Sequence, residues 1–383
     1  MADTDLAGED RTVTEFPTTA DLPLQTRSVI GASKLFDVAL RTAGASLVTA
    51  SMAPALLRPG QMARTLRNSE HYLELAGAAD AARTFPRPTG LPDVELVKRE
   101  PARWRWLPGI VDLLRFPSSY VPANPSVRVQ YGRVARNSTA WAQHWQHDDG
   151  PRPTVVVVHG FMASPYWFNK LFFSLPWWYA NGYDLLLVTL PFHGRRARPW
   201  QLDGSGLFGG GPTRMIEGML HAVHDLRSWI DHLEARGVTQ VGMTGLSLGG
   251  YLTSVMAAVD ERLHFAIPNA PVTDFDDLVE LWHPAGAVVQ AAMKLHGMER
   301  STLRELLQVH SPLRYDPVLA RDRLFVIAGL GDRLAPPEHA ERLWEHWGRP
   351  KIHAFPGNHV LHIERRAYLS RIGRFIRSTG FGA

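Results

Sequence analysis

Partway along the chain the apolar positions change period, and that change divides it. Residues 1–25 are polar with scattered prolines and predict a loose arm. From 26 to 82 apolar side chains recur at steps of three and four, with Ala32, Phe36, Leu40, Ala43 and Leu47 on one helical face. Pro54 and the Pro59-Gly60 pair interrupt this run, and a second helix is predicted over 62–75. Pro86, Pro88, Pro92 and Pro101 mark an extended passage, and 105–125 is apolar and aromatic without a regular period. Alternation over 126–136 and 140–146 then predicts two antiparallel strands, with His147-Asp148-Asp149-Gly150 as the turn that follows.

Beyond that turn short apolar runs alternate with longer amphipathic ones. Strands are expected over 154–158, 184–190, 239–244, 264–269, 323–329 and 351–355. Helices are expected over 165–181, 213–236, 248–260, 337–347 and 363–378. Such βαβ alternation implies a mostly parallel sheet with helices on both faces. The strongest strand is Thr154–Val158, β-branched throughout and bracketed by Pro153 and Gly160. The alternation is broken over 274–322, where 278–282, 288–296 and 301–307 carry helical patterns. We divide the chain into an arm and helical extension, 1–125, and an α/β domain, 126–383.

Chemistry enters at three loops, each placed after a predicted strand. Gly245-Leu246-Ser247-Leu248-Gly249 is a Gly-x-Ser-x-Gly run between a strand and a helix. A serine at such a corner sits in a strained conformation, and flanking glycines remove the Cβ atoms that would collide there. Asp332 lies in the turn after 323–329, and His359 in the Pro356-Gly357-Asn358-His359 loop after 351–355. Asp274 is the rival acid, after 264–269, and His362 the rival base. A serine hydroxyl needs an imidazole to take its proton, and a buried carboxylate to hold that imidazole in the right tautomer. Ser247, Asp332 and His359 occur in that order.

These loops, with His159-Gly160-Phe161-Met162 and Leu190-Pro191-Phe192-His193-Gly194, resemble the α/β-hydrolase superfamily over 131–381. The resemblance implies an eight-stranded, mostly parallel sheet and an oxyanion hole formed by the backbone N–H groups of Phe161 and Leu248. It also implies that 274–322 is a helical cap over the site. Leu246 stands where many lipases carry histidine, and Asn358 where a second small residue is more usual, so the subfamily stays open.

Composition narrows the picture. The 383 residues carry a net charge of +4, too small and scattered to argue for nucleic acid. Arginine-rich, lysine-poor, alanine-rich usage points to a bacterial genome. There is no cysteine, so thiol chemistry is excluded. The acidic amino terminus is unlike a signal peptide, and the apolar stretch 36–57 carries too many polar residues to span a membrane, so a cytoplasmic protein is expected. His221, His224 and His232 with Asp225 read as a solvated helix face, and His144, His147, Asp148 and Asp149 as a hairpin turn, so no metal is expected. Gly204 to Gly211 reads as a mobile loop near the pocket rim.

The expectation is a serine esterase acting on a small or lipid-like carboxylic ester, with no cofactor. Met162, Trp167, Phe192, Trp282 and His283 are expected to form the substrate walls. Amide, thioester and carbon–carbon bond hydrolysis and acyl transfer use the same constellation. A catalytically silent binding protein on this fold is the non-enzyme alternative. The helical extension carries no catalytic signature, and packing on the cap, restricting access or self-association are the roles open to it.

Overall fold

The valine run is the middle of a sheet, and its alternation explains the two layers around it. The computed structural model describes residues 15–19, 22–56, 59–102, 108–362 and 364–383. Residues 1–14 and 20–21 of the expected arm, and 103–107 including the first three positions of the irregular stretch, lie outside the described residues. The strands are β1 (Glu95–Pro101), β2 (Ile110–Pro117), β3 (Thr139–Gln146), β4 (Thr154–Val158), β5 (Asp184–Thr189), β6 (Val241–Leu246), β7 (Leu263–Asn269), β8 (Phe325–Gly329) and β9 (Lys351–Phe355). They form one sheet in the order β1-β2-β3-β5-β4-β6-β7-β8-β9. From β5 to β9 all neighbours are parallel, whereas β1, β2 and β3 are antiparallel.

The helices are α1 (Leu24–Leu56), α2 (Pro59–Ala78), α3 (Ala81–Thr84), α4 (Arg128–Gly132), α5 (Tyr166–Phe172), α6 (Leu175–Ala180) and α7 (Ser205–Phe208). Then come α8 (Pro212–Ala235), α9 (Leu248–Val259), α10 (Phe275–Leu281), α11 (Ala285–His296), α12 (Arg300–Gln308), α13 (Pro337–His346) and α14 (Arg365–Thr379). Successive side chains of a strand point to opposite faces. Val156 and Val158 therefore join one core with Trp229, Tyr251 and Trp344 from α8, α9 and α13. Val155 and Val157 join the other with Phe173, Trp178, Phe375 and Ile376 from α6, α14 and the turn between α5 and α6. Every residue of β4, β5, β6 and β8 is buried, as expected of parallel strands covered on both faces.

Three local expectations are corrected. The sheet has nine strands rather than eight, and β1 and β2 lie inside the segment 1–125 assigned to the extension. β1 is exposed along its length, with Arg99 paired to Asp112 and Arg115 to Glu95 across the ladder. A charged edge strand has no apolar alternation to detect, and its charges guard the open edge. The strand expected over 126–136 is instead a short 3-10 turn followed by α4. Asn124 accepts from the Ser126 N–H at 2.9 Å and Pro125 opens the turn, which starts a helix there. The apolar stripe of α1 also faces outward: Phe36 is 52% exposed, and among the described side chains the buried positions are Ile30, Asp37, Ala45 and Val48. That inner face mixes an acid and an alanine with its apolar residues, so hydrophobicity alone does not mark it.

The helical extension is held by a buried carboxylate. α2 packs on α8 and α12, and α1 on α7 and α11. Glu217 of α8 accepts from Tyr72 Oη of α2 at 2.6 Å and Tyr120 Oη at 2.5 Å. It also accepts from the backbone N–H groups of Ala123 and Asn124, each at 3.0 Å. Removing the acceptor leaves two buried and two half-buried donors unmatched, and each buried one costs about 1–3 kcal/mol. Glu217→Ala should therefore lower the urea midpoint by an amount equivalent to about 3 kcal/mol or more, with Glu217→Gln losing less. A midpoint unchanged in Glu217→Ala would show that this carboxylate does not hold the extension.

Candidate active site

The serine corner is dictated by how closely α9 approaches the sheet. Ser247 follows β6 and begins α9 with φ 56° and ψ −110°, a region rarely entered by any residue with a side chain. A Cβ at Gly249 would lie 2.1 Å from the Val158 carbonyl oxygen, and one at Gly245 would lie 2.2 Å from that of Gly249. Both positions therefore require glycine. The serine's own backbone is pinned on both sides. Its N–H donates to the Asn269 carbonyl at 2.9 Å, and its carbonyl accepts from Tyr251 N–H at 2.8 Å.

Asp332 and His359 meet beside this corner's end of the sheet, after β8 and β9. His359 Nδ1 lies 2.6 Å from Asp332 Oδ2, and both side chains are buried. The other carboxylate oxygen accepts from the N–H groups of Leu334 at 2.8 Å and Ala335 at 2.9 Å. The two loops are joined through Gly331 N–H and the Gly357 carbonyl at 2.7 Å. Asn358 is fully buried, and its side chain accepts from Val360 and Leu361 N–H groups, which shapes the loop at the position where the sequence departed from the usual pattern. Burial pulls the His359 imidazole down. The Asp332 charge, its hydrogen bond and the charge of Asp37 outweigh this and raise its pKa above the ordinary 6.5.

The rivals are placed elsewhere. Asp274 caps α10, accepting from Asp276 N–H at 2.8 Å. His362 is half-buried with its ring among Phe172, Phe355 and Tyr368, where desolvation pushes it down to about 3.

The loop after β4 lies against the serine. A Cβ at Gly160 would be 3.3 Å from the Leu246 carbonyl oxygen and 3.5 Å from Ser247 Cβ. Phe161 follows directly. Leu248 is the first residue of α9, where backbone N–H groups have no partner within the helix. His159 and His193 back this loop. His159 Nε2 accepts from Leu190 N–H at 3.1 Å and burial holds the ring at about 3, so it is neutral. His193 is buried with its ring edge against Phe161.

Ser247 opens onto a cavity of about 120 Å³ whose walls are almost wholly apolar. Phe161, Leu248 and Val272 come from loops and the helix start at the strand ends, and Phe208 and Met215 from α7 and α8. The insertion contributes Leu278, Trp282, Val289, Leu303 and Leu307, and α1 contributes Val48 and Met52. Of the residues expected to form the walls, Trp282 lines this cavity. Met162 and Trp167 turn outward, Trp167 being 67% exposed, and His283 is on the surface. Phe192 is only 1% exposed, packed in the core against Tyr131 and under Arg214. A strand-end aromatic has two faces to choose from, and the sequence does not say which is open.

The histidine clusters resolve differently. His221 is buried, not solvated. It lies 2.9 Å from Ser118 Oγ, 3.0 Å from Arg196 Nη2 and 3.0 Å from Tyr131 Oη. Asp225 completes that knot with Arg196 at 2.7 Å. His147 sits in the turn after β3 and contacts Asp184 at 2.8 Å. Among the described residues no group of three or more histidine or acidic side chains is arranged to hold a metal ion. The segment 204–211 contains α7, and its Phe208 and Gly211 face the cavity. Sequence reasoning missed Asp37, Val48 and Met52, which with Arg41 and Ala45 share the inner face of α1 at steps of three and four. The signal was present as a helical period but carried no chemistry.

Comparison with known proteins adds three findings. The model of the prolyl oligopeptidase family matches residues 219–351, a span that includes Ser247 and Asp332. Uncharacterized proteins of Mycobacterium tuberculosis are 31% identical over 250 residues, 63% of this chain, and the match spans 57% of their own length. Among solved structures, acetyl xylan esterase 1 from a Thermoanaerobacterium species superposes with a TM-score of 0.56 at 17% identity, covering 81% of this chain and 94% of that one. An acetyl xylan esterase from a Paenibacillus species gives 0.53 at 14% identity, covering 80% and 94%. Among the described residues no helix is long and apolar enough to cross a membrane. The mainly parallel sheet and its superposition on these esterases agree, and the chain has the α/β-hydrolase fold.

Proposed function

We propose that this protein is a serine hydrolase that cleaves carboxylic esters whose acyl part is apolar. The observation that carries the reading is a strained serine opening onto an apolar cavity, with a buried imidazole–carboxylate pair at the same end of the sheet. The Nδ1–Asp332 hydrogen bond places the ring proton on Nδ1 and leaves the Nε2 lone pair to act as base. Ser247 Oγ attacks the ester carbonyl as Nε2 takes its proton. Negative charge gathers on the carbonyl oxygen, and the N–H groups of Phe161 and Leu248 stabilise it, about 3–4 kcal/mol for each such donor. The carbonyl re-forms, the alkoxide leaves with the proton from Nε2, and the acyl group stays on Ser247. Water then gives a proton to Nε2 and attacks the acyl carbon, the bond from that carbon to Ser247 Oγ breaks as Nε2 returns the proton to Oγ, and the carboxylic acid departs.

The insertion 274–322 and α1 together act as the cap, since both supply walls to the cavity. Apolar walls favour an acyl chain over a sugar or a peptide backbone, because buried polar groups without partners are costly. The match to the prolyl oligopeptidase family supports amide cleavage as the second reading. An anilide and a thioester assayed beside the esters separate the two.

Three outcomes test the proposal. A fluorophosphonate probe should label the wild type and fail to label Ser247→Ala. Labelling of both, or of neither, removes the nucleophile. A base whose pKa is raised must lose activity as pH falls through a value above 6.5, so the acid limb of kcat/KM should lie above pH 6.5. A limb at or below that value contradicts the site drawn here.

Chain length gives the third. Each methylene buried in the cavity contributes about 0.8 kcal/mol, roughly fourfold, so p-nitrophenyl butyrate should exceed acetate in kcat/KM. Val289→Trp fills the cavity from α11 and should cut the octanoate-to-acetate ratio at least about tenfold. An unchanged ratio places the acyl group elsewhere.

A further inference from the structure

We propose that Asp37, on the helix α1 outside the α/β core, is a positioning residue for the Asp332–His359 pair, so that the site is complete only with α1 docked. This rests on the hydrolase reading above. Asp37 is 0% exposed. Its Oδ2 accepts from Arg333 N–H at 3.0 Å and from His359 N–H at 3.0 Å. Arg333 directly follows the acid, and His359 is the base itself. One oxygen therefore bridges the two loops whose separation sets the geometry of the pair. One turn along α1, on the same helical face, Arg41 Nη1 donates to the Arg333 carbonyl at 3.2 Å. Both backbone groups of Arg333 are thus held by α1.

A hydroxyl or an amide would serve to tie two loops, and a carboxylate does more. Hydrogen bonds to a charged acceptor are roughly twice as strong as neutral ones. The charge also stands near His359, where it adds to that of Asp332 in stabilising the imidazolium. The arrangement costs something, since burial and the Asp332 charge push the Asp37 carboxyl upward, while the two N–H donors pull it down. The titratable groups facing it are Asp332 and His359 from the two loops, with Arg41 beside it on its own helix.

The test uses the full chain and a p-nitrophenyl ester. Asp37→Ala removes both acceptor and charge, and Asp37→Asn keeps an accepting oxygen without the charge. Asp37→Ala should lower kcat about 10- to 100-fold with KM within about twofold, the effect expected when a catalytic group is misplaced by about 1 Å. Asp37→Asn should lose less. In both variants the acid limb of kcat/KM should move to lower pH, because a contribution that raises the His359 pKa is gone. If Asp37→Ala does not fold, the limb of Asp37→Asn alone decides.

Wild-type kcat in the alanine variant, or an unmoved acid limb in the asparagine variant, overturns the role. His359→Ala is assayed alongside. If it is inactive while the Asp37 variants are wild type, only the role of Asp37 falls. If it retains activity, the base assignment and this role fall together.

Discussion

Everything at the site follows from the approach of one helix to one strand. α9 can reach the end of β4 only because Gly249 has no side chain: a Cβ there would meet the Val158 carbonyl at 2.1 Å. Gly245 and Gly250 allow the same closeness against the elbow backbone and the Asn269 carbonyl. The chain must then turn from strand to helix in one residue, and Ser247 takes up the strain. A residue held at such angles costs of order 1–3 kcal/mol, which persists only where the surroundings leave no alternative. Here the surroundings are the packed parallel strands and the hydrogen bonds to Asn269 and Tyr251. The hydroxyl is therefore presented by the core, not by a loop that could relax.

The cavity wall and the loop carrying Asp332 share their supports. Trp282, from the insertion, lines the cavity and donates from its indole to the Leu334 carbonyl at 3.2 Å. α1 lines the cavity through Val48 and Met52 and reaches the same loop through Asp37 and Arg41. α1 faces the Trp282 ring at Gly44, where a Cβ would lie 3.6 Å away, an ordinary van der Waals contact. Whatever moves the roof of the cavity also moves the loop carrying Asp332. The shape of the cavity and the geometry of the Asp332–His359 pair are thus linked by shared contacts.

How much of this was legible depended on where each signal is written. The βαβ core could be read because buried parallel strands are continuous apolar runs and their helices keep a regular period. The three chemical loops could be read because each follows such a strand. β1 could not, because an exposed edge strand built from Arg99, Lys98 and Glu100 has no apolar face. Residues 126–136 imitated a strand because a capped turn and a short helix can alternate by accident. Phe192 was placed at the right strand end but on the wrong side of it. Asp37 was invisible for a deeper reason. Its partners are 296 and 322 residues away, and no local pattern records a contact that only the folded sheet creates.

Two buried carboxylates beside one imidazole raise the question of how the fold tolerates them. An uncompensated charge in such a place is expensive, and a buried pair is stable only when its remaining lone pairs are satisfied. The backbone supplies most of the answer, although Oδ1 of Asp37 is buried without a hydrogen-bond partner. Asp332 accepts from Leu334, Ala335 and His359, and Asp37 accepts from Arg333 and His359. Four of these five donors are main-chain N–H groups of the very loops being positioned. The loops solvate the acids, and the acids fix the loops. His359 is the one residue bound to both, by its ring to Asp332 and by its backbone to Asp37. Its imidazole and its main chain are therefore oriented by separate anchors, and that leaves the ring little freedom to turn away from Nδ1 donation.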